Sequence, residues 1–136
     1  MDLKFDIQSG DFSGAGRASS QIKKILKQLQ VDAKTIKRIV VAVYEAEVNV
    51  VAHSVGGSLS ASISGNDIVV VVKDRGPGIA DIQRAMQAGF STASKEVRDM
   101  GFGAGMGLPN IKKNTDEFKI ASRLGEGTTL TFRNYF

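Results

Sequence analysis

Glu45, Asn49 and His53 stand four residues apart, a spacing that stacks side chains along one side of a helix, a turn at a time. Two of them could do chemistry together. A neutral amide oxygen such as that of Asn49 suits Mg²⁺, which keeps several waters and completes its shell from substrate phosphates. A carboxylate one turn away, Glu45, can take the proton of an attacking hydroxyl. The same spacing also describes a polar stripe turned to solvent, which is what most such patterns are. His53 is the single histidine and reads as structural, near a helix C-terminus where the dipole favours it. Being alone, it rules out a multi-histidine metal site. The absence of cysteine excludes disulfides, thiolate metal sites and a cysteine nucleophile.

Two further segments carry polar groups in suggestive places. Asp74 follows the β-branched run Ile68 to Val72 and opens Asp74-Arg75-Gly76-Pro77-Gly78-Ile79. An aspartate at a strand end that faces a cavity can accept from an exocyclic amine such as adenine N6, and Gly76 and Gly78 let the chain turn beneath a flat base. Pro77-Gly78 is a turn in either case, so a solvated aspartate beside a turn is the plainer alternative. Further on, Gly101 to Gly107 has glycine at every second position and runs into Leu108-Pro109-Asn110-Ile111-Lys112-Lys113. Glycine lets a backbone pass close to a ligand, and Pro109 suits a first helical turn. The free N–H groups and positive dipole end of such a helix form a phosphate site. Alone, the segment equally fits a flexible loop before a helix.

The elements that must hold these residues follow from periodicity. Leu3, Phe5 and Ile7 alternate as an opening strand, and Gly10 to Gly16 is a loop. Ile22, Ile25, Leu26 and Leu29 predict a helix over about Ala18 to Gln30. Asp32 is a candidate N-cap for a longer helix from about Ala33 to Ser54, with Ile36, Ile39, Val40, Val43 and Val50 as its apolar stripe. Glu47 falls inside that stripe, where an unpaired carboxylate is costly; a rim position, a lysine partner or a binding partner would each relieve it. Gly56-Gly57 ends the helix. A hairpin follows, with Leu59, Ala61 and Ile63 on one strand and Ile68 to Val72 on a second expected to be buried on both faces. A short helix is expected over Ala80 to Ala88, and a long polar loop from Gly89 to Gly101, of a kind usually functional or mobile. A helix over Leu108 to Asn114 precedes strands at Phe118 to Ser122 and Thr128 to Phe132. The expected fold class is α/β (α+β): a two-layer sandwich with helices on one face of a mixed, mostly antiparallel sheet, in a single domain over residues 1–136.

Composition narrows the function classes. The chain is 42% hydrophobic and 24% charged, ordinary for a soluble domain. It lacks a run long enough to span a bilayer and a signal-like N-terminus, so a cytoplasmic protein without membrane contact is expected. The net charge of +4 gathers in Lys23, Lys24, Lys27, Lys34, Lys37 and Arg38, with Lys112 and Lys113 as a second group. No aromatic residues interleave with them, so solvated faces or an acidic protein partner fit better than nucleic acid.

Taken together, the motifs resemble the ATP-binding domain shared by gyrase, Hsp90, histidine kinases and MutL. Glu45-Ala46-Glu47-Val48-Asn49 with His53 looks like that family's N box, although Glu47 replaces its usual apolar residue. Asp74-x-Gly76-x-Gly78 looks like the first glycine box, and Gly105-Met106-Gly107-Leu108 the second, behind a lid from Gly89 to Ala104. Gly125-Glu126-Gly127-Thr128-Thr129 looks like the last. Within the family, the chain most resembles the small bacterial partner-switching serine kinases, which include anti-sigma factors and the stressosome switch kinase, and Arg17, Gly89-Phe90-Ser91-Thr92 and Asp116-Glu117-Phe118 are similar to the switch kinase in particular. The resemblance implies a Bergerat-type ATP-binding fold. It also implies an ATP- and Mg²⁺-dependent protein serine/threonine kinase acting on a STAS-domain protein, with a sigma factor or PP2C-type phosphatase as a further partner. By matching positions, Glu45 is the general base or water-polarising group and Asn49 the Mg²⁺ ligand. Asp74, aided by Gly78 and Thr128, recognises adenine, Gly76 and Ile79 also line the nucleotide site, and Gly103, Ala104, Gly105, Met106, Gly107 and Leu108 hold the phosphates. Arg17, His53, Ser91 and Thr92 are further candidates for contact with phosphate or partner. A nucleotide-bound anti-sigma or phosphatase-activating module with little catalytic role is the alternative.

Overall fold

Alternating apolar side chains build one face of a sheet, and the helical stripes cover that face. The computed structural model describes residues 1–53, 56–75, 107–123 and 125–136, with the backbone alone at 12, 53 and 123. The strands are β1 (Asp2–Ile7), β2 (Gly57–Ile63), β3 (Asp67–Asp74), β4 (Glu117–Arg123) and β5 (Gly127–Tyr135). They lie in the order β1-β2-β3-β5-β4, and every pairing is antiparallel. The helices are α1 (Arg17–Gln28), α2 (Ala33–His53) and α3 (Gly107–Lys113), with a short 3₁₀ turn at Phe12–Gly14 inside the expected loop. The short helix expected at Ala80 to Ala88 lies outside the described residues, as does the lid.

The register sets Val70 between Ala61 and Phe132, and Val72 between Leu59 and Leu130. These residues are buried, and they form one cluster with Ile22, Ile25 and Leu26 of α1, Ile36, Ile39, Val43 and Val50 of α2, and Leu108 and Ile111 of α3. Each such side chain contributes roughly 1.5–3 kcal/mol on burial. The opposite sheet face carries Ser58, Ser60, Ser62, Thr129 and Thr131, all partly or fully exposed. On that face Val69 and Val71 are only half-buried, so β3 is not covered on both sides as its valine run suggested. One layer of helices covers one face, and β-branched residues satisfy strand preference whether or not a second layer exists.

Local signals account for the helix ends. Asp32 Oδ2 accepts from the N–H groups of Lys34 and Thr35 at 3.1 and 3.3 Å, capping α2 as expected. α1 stops at Gln28, and Gln30 takes a left-handed φ of 60° that turns the chain toward α2. No helix among the described residues is long and apolar enough to cross a membrane. The C-terminal end of α2 runs into β2, whose Gly57 pairs with Asp74. The end of the helix that carries Asn49 and the tip of the strand that carries Asp74 therefore lie at the same end of the molecule.

Candidate functional site

One half of the site is built where α3 begins against α2. The buried stripe of α2 leaves Glu45 and Asn49 on a partly exposed side of the same helix. Gly107, the first residue of α3, lies directly over both. A Cβ added at Gly107 would stand 3.5 Å from Glu45 Oε2 and 3.9 Å from Asn49 Oδ1. The Asn110 side chain, one turn further along α3, hydrogen-bonds to the Glu45 carboxyl. Burial pushes the Glu45 pKa above the ordinary carboxylate value, and the bond to Asn110 offsets part of that rise. A carboxyl in this setting is suited to receiving a proton. At the other end of α3, Asn114 Nδ2 donates to the Asn110 carbonyl at 2.8 Å. Asn134 Nδ2, from a residue fully buried on β5, donates to the Asn114 carbonyl at 2.8 Å. The short helix is thus tied to the sheet at one end and to Glu45 at the other. Asn110 was not singled out from the sequence as a functional residue. Its only signal there is its position one turn into the helix behind the glycines.

The second half is the tip of β3. Asp74 Oδ1 accepts from the Thr128 N–H at 3.2 Å. Thr128 is buried, and its hydroxyl lies 2.8 Å from that of Ser122 on β4. A glycine approaches the Asp74 backbone from each adjacent strand, Gly57 as its partner on β2 and Gly127 just before Thr128 on β5, and both are glycines for steric reasons. A Cβ on Gly57 would come within 2.2 Å of the Lys73 carbonyl oxygen, and one on Gly127 within 2.3 Å of the Asp74 carbonyl oxygen. Gly127 also takes φ +91°, which side chains disfavour. The strand tip is therefore clasped closely from both sides, which holds the Asp74 backbone in place. The Gly125-Glu126-Gly127-Thr128 motif thus serves two ends: its second glycine permits the clasp, and its threonine N–H orients the aspartate.

Arg17 is not brought together with these groups among the described contacts. It is exposed at the first position of α1 and borders a cavity of about 290 Å³ lined also by Lys4, Ile7, Asp11, Glu47 and Val51. Glu47 and Val51 lie about 200° and 240° around α2 from Glu45 at ~100° per residue, on the side facing away from it. Leu108 is buried in the core beneath α3. The residues Gly76, Gly78, Ile79, Ser91, Thr92, Gly103, Ala104, Gly105 and Met106 lie outside the described residues, as does the side chain of His53. Glu47 has a definite position that the sequence left open. It is 3% exposed and is satisfied not by a lysine, a rim position or a binding partner but by backbone N–H groups at the start of α1.

This combination of an antiparallel sheet, an acid–amide helix and a glycine-started α3 can be set beside known proteins. Residues 13–134 match the model of the "Histidine kinase-like ATPase domain", and the chain belongs to that family. An anti-sigma F factor of Thermoanaerobacter sp. (strain X514) is 34% identical over 140 residues, covering 99% of this chain and 92% of that protein. The serine/threonine-protein kinase RsbT of Bacillus subtilis (strain 168) is 31% identical over 112 residues, covering 79% of this chain and 78% of that protein. Among solved structures, the RsbU and RsbW domains of Rv1364c from Mycobacterium tuberculosis superpose with a TM-score of 0.65 at 21% identity. That alignment covers 98% of this chain and 31% of the other, and it shows the shared fold. ATP binding is the property this family defines, and similarity to an anti-sigma factor and to a kinase supports a partner-switching role of one or both kinds.

Proposed function

We propose that the protein is an ATP-dependent protein serine/threonine kinase of a bacterial partner-switching pathway, of stressosome or anti-sigma type, acting on a STAS-domain protein. The observation that carries this reading is Glu45: half-buried, bonded to Asn110, and set with Asn49 against the glycine that starts α3. A module that only bound nucleotide would have no use for a proton acceptor there. The partner's serine or threonine oxygen attacks the γ-phosphorus, its proton passes to Glu45, and the bond to the β–γ bridging oxygen breaks to release ADP. Asn49 Oδ1 is a neutral oxygen donor of the kind Mg²⁺ takes, and the close approach permitted by Gly107 leaves room for phosphate beside it. Among the described residues, no three His, Asp or Glu side chains converge, so Mg²⁺ held from Asn49 would draw its other ligands from phosphate and water. Its contribution, when bound, is to neutralise charge on the transferring group. Asp74 with Thr128 receives the adenine amine. Gly107 and the glycines before it receive the phosphates. Arg17, on the far side of α2, is assigned to the partner rather than to phosphate. A cytoplasmic location, and a sigma factor or PP2C-type phosphatase as second partner, belong to the same reading.

The relative named as an anti-sigma F factor favours a second reading, in which bound nucleotide mainly shapes a sigma-binding surface. Labelled ATP and candidate STAS-domain proteins separate the two. The wild-type protein is expected to label a serine or threonine of the partner. Glu45→Ala should lower transfer by about 100-fold or more, the usual size of a lost general base, with Mg-ATP affinity kept within about threefold. Transfer by Glu45→Ala at the wild-type rate removes Glu45 from its role, and no transfer by the wild type leaves the binding-module reading.

A further inference from the structure

Glu47 takes no part in the nucleotide chemistry, yet it is buried in the middle of α2 and fully engaged. Its carboxylate accepts from the N–H groups of Gly16, Ala18 and Ser19 at 3.2, 3.0 and 2.9 Å. These are the first N–H groups of α1, which have no partner within their own helix. α1 has no cap of its own: Gly16 precedes it with φ +98° and no side chain, and its first turn holds no acidic residue. The only local contribution shown is Ser19 Oγ donating to the Gly16 carbonyl at 3.0 Å. The negative charge that the positive end of α1 prefers therefore comes from a different helix, 28 to 31 residues away in sequence. Tyr44, one turn before Glu47, lays its ring 3.4 Å from the position of a Gly16 Cβ. Tyr44 and Glu47 together form a seat on α2 for the start of α1.

Arg17 sits between the residues so clasped, with its side chain exposed at the mouth of the cavity that Glu47 and Val51 also line. A local side-chain cap would not tie α1 to anything, and at position 16, with φ +98°, a side chain would be strained. The cap supplied from Glu47 fixes α1 to the helix that carries Glu45 and Asn49, two residues away on either side. We propose that Glu47 is a positioning residue for partner recognition: by clasping residues 16–19 it sets where Arg17 is presented relative to the phosphoryl-transfer groups. This rests on the assignment of Arg17 to the partner made above.

The test is a double-mutant cycle between Glu47→Gln and Arg17→Ala. It uses the full chain and a STAS-domain protein that the wild type binds, with partner affinity read by calorimetry and partner KM by transfer. The isosteric Glu47→Gln keeps the volume but presents an amide, one end of which donates where three donors already point. It should raise partner Kd and KM about tenfold, with kcat and Mg-ATP affinity within about twofold of wild type. In the Arg17→Ala background the same change should have an effect of less than twofold. Amide hydrogen exchange supplies a readout that needs no partner: exchange at Gly16, Ala18 and Ser19 should quicken at least tenfold in Glu47→Gln while the centre of α2 stays protected. Additive effects of the two substitutions, an equal loss of Mg-ATP affinity, or unchanged exchange at residues 16–19 would each overturn the proposal. Unchanged partner affinity in Arg17→Ala alone would overturn it too, by removing the contact that Glu47 is said to position. A wild-type protein that binds partner but transfers no phosphate would overturn the kinase reading only, and the cycle is then read from Kd.

Discussion

A carboxylate that is to take a proton works best when it is neither bathed in water nor sealed from it, and Glu45 has that intermediate setting. Its pKa is raised by burial and pulled partly back by the Asn110 side chain. Two outcomes follow from the sign of that shift. For stability, a carboxyl whose folded pKa lies above its unfolded one contributes fully below the unfolded value of about 4.3, and that contribution is lost as pH rises through the raised folded value. Glu45→Gln should therefore melt at a higher temperature than wild type at pH 7, with the difference shrinking toward pH 4 in paired calorimetric scans. For activity, Asn110→Ala removes the group that lowers the pKa, so the acid limb of transfer should move to higher pH. The rate at neutral pH should fall several-fold. An acid limb that stays in place would show that Asn110 does not tune the base. Spacing made the placement of Glu45 and Asn49 along one side of α2, and of Asp74 at the end of β3, legible, while their proposed roles came from the resemblance, because the same patterns also fit solvated side chains. Asn110 and the partners of Glu47 were not legible: one lies across a helix contact and the others 28 to 31 residues distant, and nothing local encodes either.

At the scale of elements, α3 is the piece that links chemistry to scaffold. It is only seven residues long, too short to persist unaided, and is held by Leu108 and Ile111 in the core and by the asparagine contacts at its ends. Gly107 then has a specific job. An alanine there would meet Glu45 at ordinary contact distance and would not disfavour the helix, since alanine is the better helix former by up to about 1 kcal/mol. Gly107→Ala should thus melt at or slightly above the wild-type temperature while binding Mg-ATP about tenfold more weakly, as its methyl fills the approach to Glu45 and Asn49. Equal affinity in calorimetric titration would show that phosphate does not pass there. Element types were readable because the apolar periods of Ile22 to Leu26, of Ile36 to Val50 and of Leu59 to Ile63 are unambiguous. The number of buried faces on β3 was not, since four valines in a row satisfy a strand covered once or twice.

For the whole molecule, one core joins three helices to one face of the sheet, and the candidate site lies where that core ends. α2 has a double duty: Ile39, Val43 and Val50 anchor it inside, while Glu45 and Asn49 on its partly exposed side face α3. Because the site is assembled from α2, α3, β3 and β5, a bound nucleotide would draw together elements distant in sequence. Mg-ATP at about 100 times its Kd should then stabilise the fold by about 2.7 kcal/mol, raising the melting temperature by about 10 °C for a chain of this size. An unchanged melting temperature would mean that the nucleotide engages no such assembly.

The most direct measurement is an isothermal calorimetric titration of Mg-ATP into the wild-type protein and into Asp74→Asn. An asparagine amide can present a donor where the adenine amine also donates, while the clasp by Gly57 and Gly127 keeps the strand tip in place. One ATP bound per wild-type chain, with affinity at least tenfold weaker in Asp74→Asn, is the expected result. No binding to the wild type, or equal binding to both, would contradict the account.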